Sequence, residues 1–165
     1  MLTKAREEDA GRIAELQIAS WRATYTRELS QAFHDRQDVA VWTAEWRRHL
    51  ADGVTVILAE GEDRLDGFVA CGPTRGRSSN LVEWEIYNIH VAPDRHGEGL
   101  GSKLFNAAAE LGQQRGARQL ALWVVKTNNP ARAFYEARGM KCDGSEQDHV
   151  VEDQTLQEVR YRMDL

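Results

Sequence analysis

The passage "LVEWEIYNIHVAPDRHGEGLGSKLFNAAAELGQQRG" sets three structural signals end to end with no slack between them. A β-rich run over 81–91 stops at Pro93, and three alternating glycines, Gly97, Gly99 and Gly101, follow directly. Leu100, Leu104, Ala108 and Leu111 then recur at helical spacing, with Gly112 and Gly116 expected to weaken and close that helix. A strand, a proline turn and a glycine loop at a helix start form a ready anion site. The helix leaves its first N–H groups unpaired, its dipole favours negative charge, and glycine removes the Cβ that would block a close approach. The same glycines also suit a loop that simply needs positive φ angles, so the passage by itself leaves both readings open.

The rest of the chain supplies the elements around this passage. "MLTKA" reads as a short strand, and Ala10, Ile13, Ala14, Ile18, Trp21 and Tyr25 mark an amphipathic helix with acids in its first turn. Val39, Trp42, Trp46 and Leu50 mark a second helix, stopped at Gly53. "VTVILAEGEDRLDGFVACGPT" reads as strand, turn, strand, "RQLALWVV" as a buried strand and "NPARAFYEARGM" as a short helix closed at Gly139. "EVRYRM" alternates as a last strand, expected to pair antiparallel with one nearer Cys142. The order β-α-α-β-β-β-α-β-α-β-β implies a mixed sheet covered by helices. No repeat or linker divides residues 1–165, which are expected to form a single domain.

Composition narrows the partners. Lys and Arg total 21 against 26 Asp and Glu, and the net charge of −5 argues against nucleic acid as the main partner. Cys71 and Cys142 stand in no metal or redox spacing, so free thiols in a cytoplasmic protein without a metal are expected. The charged N-terminus and the absence of a long apolar run point away from a signal peptide or a membrane.

Two familiar phosphate loops fail. A P-loop needs a hydroxyl after its lysine, whereas the helix here begins Gly101-Ser102-Lys103. A dinucleotide fingerprint would need glycine where Ser102 stands. "IHVAPDRHGEGLGSKL" instead resembles the acyl-CoA motif of the GCN5-related N-acetyltransferase (GNAT) family, Gln/Arg-x-x-Gly-x-Gly/Ala after a strand and a proline turn. "NNPARAFYEARGM" is similar to that family's second motif, Asn-x-x-Ala…Phe-Tyr-x-x-x-Gly-Phe, and "LALWVV" lies between the two as the expected strand. His96 replaces the usual Arg or Gln, and Met140 the usual Phe. Arg95 next door is a candidate replacement cation.

The resemblance implies an α/β (α+β mixed) fold, with a mixed, mostly antiparallel sheet and helices on both faces. It implies an acetyl-CoA-dependent N-acetyltransferase, with His96 at the cofactor and the pyrophosphate held mainly by backbone N–H groups of Gly97, Glu98, Gly99, Leu100, Gly101 and Ser102. Apolar residues in strand 81–91 switch from even to odd positions, which fits either burial on both faces or a β-bulge. The resemblance implies the bulge, and main-chain contacts from Ile89, His90 and Val91 to the cofactor arm. It makes Glu85, eleven residues before His96, the general base, with Glu83 on the same face as competitor. An alkyl amine with a pKa of about 10 is roughly one part in a thousand neutral at pH 7, so a base is needed. Tyr135 is implied as the group assisting the departing CoA sulfur, and Asn128, with Asn129 as alternative, as a holder of the cofactor arm.

The acceptor is expected to be an amine-bearing small molecule or peptide, with a homodimer as the candidate assembly. In this family the first two helices and their connection build the acceptor side, here carrying Trp21, Tyr25, Glu28, His34 and Asp35. For Trp21 and Trp42, core packing is the favoured role. "GPTRGRSSNL" reads as a mobile flap. Two other functions compete: an acyl-CoA-binding sensor without transfer activity, and a toxin acylating aminoacyl-tRNA, which the acidic charge disfavours.

Overall fold

The computed structural model describes residues 1–75 and 83–165. Its strands are β1 (Leu2–Lys4), β2 (Thr55–Glu60), β3 (Leu65–Pro73), β4 (Glu83–Val91), β5 (Gln119–Val125), β6 (Lys141–Val151) and β7 (Gln154–Asp164). Its helices are α1 (Ala10–Thr24), α2 (Gln31–Arg36), α3 (Val39–Ala51), α4 (Leu100–Gln114) and α5 (Asn129–Glu136). The seven strands form one mostly antiparallel sheet in the order β1-β2-β3-β4-β5-β7-β6. β4 and β5 run parallel, and α4 supplies the crossover that parallel neighbours require.

This is the expected element order with one addition. The connection between the first two predicted helices folds its own short helix, α2, capped by Ser30 Oγ accepting the N–H of Phe33 at 3.1 Å. Six residues are too few for a 3.6-residue period to show in the sequence. The acids expected in the first turn of α1 instead form a separate 3₁₀ turn, Glu7–Asp9, where Asp9 Oδ2 accepts the N–H of Arg6 at 2.8 Å. Residues 81 and 82 of the expected strand, and the flap read on "GPTRGRSSNL" from Gly76 onward, lie outside the described residues.

The chain forms two compact units, residues 1–71 with 88–108 and residues 72–87 with 109–165. In the first, Ile13, Phe68 and Leu104 are fully buried. Trp46 lies in the seam of α1 and α3, its Nε1–H donating to buried Gln17 Oε1 at 2.5 Å, so this polar pair is satisfied within the core. Trp21 lies 6.0 Å from Phe33 and 5.4 Å edge-on to Trp42, the packing role expected for both tryptophans.

In the second unit, Leu120, Ala121 and Leu122 are all buried, as a strand covered on both faces must be. Trp84, Glu85 and Ile86 of β4 are likewise buried in succession. Tyr87–Val91, past the change of hydrophobic phase, are half-buried. The parallel register runs from Glu83↔Gln119 to Ile86↔Leu122, and Tyr87–Val91 lie beyond it. Gly112 does not end α4 as the sequence suggests. It sits inside the helix, where a Cβ would fall 2.9 Å from Trp84 Cγ, so its lack of a side chain lets the indole pack directly on the helix.

Candidate active site

The glycine loop belongs to the first unit. Pro93–Arg95 make a 3₁₀ turn, and exposed His96 follows, its Nε2–H donating to Val91 O at 3.1 Å. That bond places a hydrogen on Nε2 and ties the loop back to the end of β4. Gly97 and Gly99 have φ of +84° and +78°, the left-handed region where an L-residue costs about 1–2 kcal/mol. A Cβ built at either glycine meets no chain atom within 4 Å. Handedness therefore demands glycine, and open space lies beyond it. Glu98 sits between the two glycines. The Lys103 N–H bonds Gly99 O at 3.1 Å, so Leu100, Gly101 and Ser102 form the first helical turn of α4. The helix itself provides no acceptor for N–H groups at that position, which makes it the anion-ready end. Arg95 points into carboxylates, with Nη2 3.1 Å from Glu98 Oε2 and 3.5 Å from Asp66 Oδ2. Its charge is already matched there. Arg64, 2.5 Å from Asp94, holds that carboxyl below the usual carboxylate range.

Ile89, His90 and Val91 end β4 in the same unit. The Nδ1 of His90 lies 2.9 Å from Ser20 Oγ on α1, and its ring is 5.2 Å from that of Phe68. Burial pushes its pKa down to about 4, so the imidazole is neutral at physiological pH. Unfolding returns the ring to a pKa of about 6.5. The His90 contribution is therefore complete above that value and is lost as pH falls toward 4. Urea unfolding at pH 7.5 and pH 5 is expected to show about 2 kcal/mol of this loss, and His90→Gln to remove that share of the slope.

Glu85, Glu83, Asn128 and Tyr135 belong to the second unit. The Glu85 side chain is 3% exposed, yet both of its oxygens are engaged by one residue, Arg75. Oε2 accepts the backbone N–H of Arg75 at 3.0 Å, and Oε1 accepts from Nη2 at 3.0 Å and Nε at 3.4 Å. The Arg75 side chain is 62% exposed, and its guanidinium lies 4.3 Å over the ring of Tyr87, whose hydroxyl donates to Pro73 O. Glu83 is held differently: Oε2 lies 2.6 Å from Arg162 Nη2, and Oε1 accepts from the Thr74 hydroxyl at 3.0 Å. Asn128 caps α5, its Oδ1 accepting the N–H of Ala131 at 3.2 Å, while Asn129 is the first residue of the helix. Tyr135 is buried on α5, 6.4 Å from the ring of Tyr161. The Tyr161 hydroxyl donates to Glu136 Oε1 at 2.6 Å and accepts from Arg132 Nε at 3.0 Å; burial raises its pKa.

The candidate residues thus form two sets, each gathered within its own unit, with β4 carrying members of both. Ser20, Arg75 and Arg162, the partners of His90, Glu85 and Glu83, went unseen in the sequence. They stand 70, 10 and 79 residues from those partners, and no local spacing marks such pairs. Among the described residues no group of three His, Cys, Asp or Glu side chains is arranged to hold a metal ion. Among them, too, no helix is long and apolar enough to cross a membrane.

Residues 10–140 match the family model described as Acetyltransferase (GNAT) family. The chain belongs to that family. An uncharacterized N-acetyltransferase of Bacillus subtilis is 28% identical over 134 residues, covering 81% of this chain and 76% of its own. One from Methanocaldococcus jannaschii is 33% identical over 119 residues, 70% of this chain and 51% of its own, so this GNAT chain spans about half of that relative. In structure, the chain resembles the PaiA N-acetyltransferase of Thermoplasma acidophilum, solved in complex with coenzyme A, with a TM-score of 0.76. That likeness covers 100% of this chain and 98% of the other at 16% identity, and it establishes the GNAT fold.

Proposed function

We propose that this GNAT chain, as a single cytoplasmic domain, moves an acetyl group from acetyl-CoA to a primary amine by direct attack in a ternary complex. The observation that carries the donor side is the loop of residues 96–102. Two glycines of left-handed φ open onto space at the first turn of α4, where backbone N–H groups and the helix dipole suit a pyrophosphate. Gly97, Gly99 and the turn Leu100-Gly101-Ser102 hold the phosphates, with His96 and Glu98 flanking. Main-chain groups of Ile89, His90 and Val91 receive the cofactor arm. Asn128 fixes its far part, and Tyr135 hydrogen-bonds the departing sulfur. A thiol leaves with a pKa of about 8.5, so that help is modest.

On the acceptor side Glu85 takes the proton of the attacking amine, which must be neutral to attack. Its burial in β4 supports this role over that of Glu83, which Arg162 and Thr74 hold. A second reading, a CoA-binding module without transfer, draws on one observation: Arg75 engages both oxygens of the proposed base. A free-thiol release assay with acetyl-CoA across amines, amino acids and peptides separates the two. Thiol release with an amine supports the transferase. CoA binding without release on any acceptor supports the module, and neither binding nor release overturns both.

A further inference from the structure

Arg75 and Glu85 form an unusual ion pair. The carboxylate is buried, while the arginine side chain that neutralises it is mostly exposed, with its guanidinium stacked on an aromatic face. A buried carboxylate beside a ring face is the chemistry that selects a cation, through charge on one side and the ring quadrupole on the other. Here the chain's own side chain fills that box. Removing it and leaving nothing would strand a buried charge, which is strongly unfavourable. Exchange for another cation keeps the carboxylate matched, and the departing guanidinium needs only to swing further into solvent.

We propose that the Glu85–Tyr87 box is the subsite for the acceptor's cation, that Arg75 occupies it as a stand-in, and that the acceptor is an alkylammonium ion that displaces Arg75. This deepens the acetyltransferase reading and rests on it for the word acceptor; the cation subsite itself does not depend on acetyl transfer. It gives Glu85 a way to act as a base. While Arg75 donates to Oε1, that oxygen is engaged by a cation that gives up no proton near neutral pH. An ammonium in the same place puts its own N–H on Oε1, where the proton can move. The backbone N–H of Arg75 can stay on Oε2 and hold the carboxylate in position. The box discriminates against neutral acceptors, because an uncharged group cannot compensate Glu85 when Arg75 leaves.

The test titrates n-propylguanidinium, which copies the departing side chain, n-butylammonium, and neutral n-propylurea into the wild type, Arg75→Ala and Arg75→Ala/Tyr87→Leu, by calorimetry. Both cations are expected to bind Arg75→Ala at least tenfold more tightly than the wild type. The urea should show no gain, and Tyr87→Leu should remove a clear part of it. Arg75→Gln, which keeps a hydrogen-bond donor over Glu85 without the charge, should give the same ranking should the alanine variant fold poorly. Equal cation affinity in wild type and variants, or an equal gain for the urea, overturns the proposal. Binding is read without turnover, so the two readings fail separately. A cation gain with no thiol release on any amine leaves the subsite standing and removes the transferase. Turnover without a cation gain does the reverse.

Discussion

Glu85→Gln is expected to lower kcat with an amine acceptor by about 10²–10⁴-fold at pH 7, the usual worth of a positioned general base. The substitution keeps the shape of a side chain that is 3% exposed, and Arg75 is free to turn into water, so the fold should tolerate it. The deficit should shrink as pH rises toward about 10, where an alkyl amine sheds its own proton. Glu83→Gln is the control. It loses the pairing with Arg162 and should leave turnover within a few-fold of the wild type. Equal losses in the two variants, or a Glu85→Gln deficit that does not shrink at high pH, would remove Glu85 from the role of base.

Phe68→Ala is the substitution expected to cost most in stability, about 3–5 kcal/mol, the range for truncating a fully buried phenylalanine. Its ring lies edge-on to Trp46 at 5.3 Å and tilted against His90 at 5.2 Å, so one truncation opens space against both. In a chain of 165 residues this corresponds to a fall in Tm of about 10 °C. The cavity would also admit water to the imidazole, and the acid sensitivity attributed to His90 should weaken in the same variant. A loss below about 1 kcal/mol would mean that the core around β3 is not packed as described.

The glycine loop was legible in the sequence because everything that defines it is local. Strand, proline, alternating glycines and amphipathic helix stand in one unbroken passage, and the backbone signs of Gly97 and Gly99 follow from it. Glu85, proposed here as the base, was singled out through the family resemblance, and its burial in β4 is what the structure adds. What holds it was not legible. Arg75 meets Glu85 only because β3 and β4 are neighbours in the sheet and the chain just past β3 folds onto β4, and nothing in "PTR" announces it. The same limit hid Ser20 behind His90. Gly112 shows a different failure: a glycine that packs against Trp84 and a glycine that stops a helix look alike until the partner is placed. Helix α2 escaped because its length is under two turns.

The empty space above Gly97 and Gly99 has one more consequence. Because a methyl group at either position touches nothing in the chain, its cost to the unliganded protein is confined to backbone handedness. Any further penalty that appears only when a donor is bound must then arise from collision with the donor itself. A single alanine at residue 97 or 99 thus works as a feeler, reporting from inside the protein how near a molecule outside it comes.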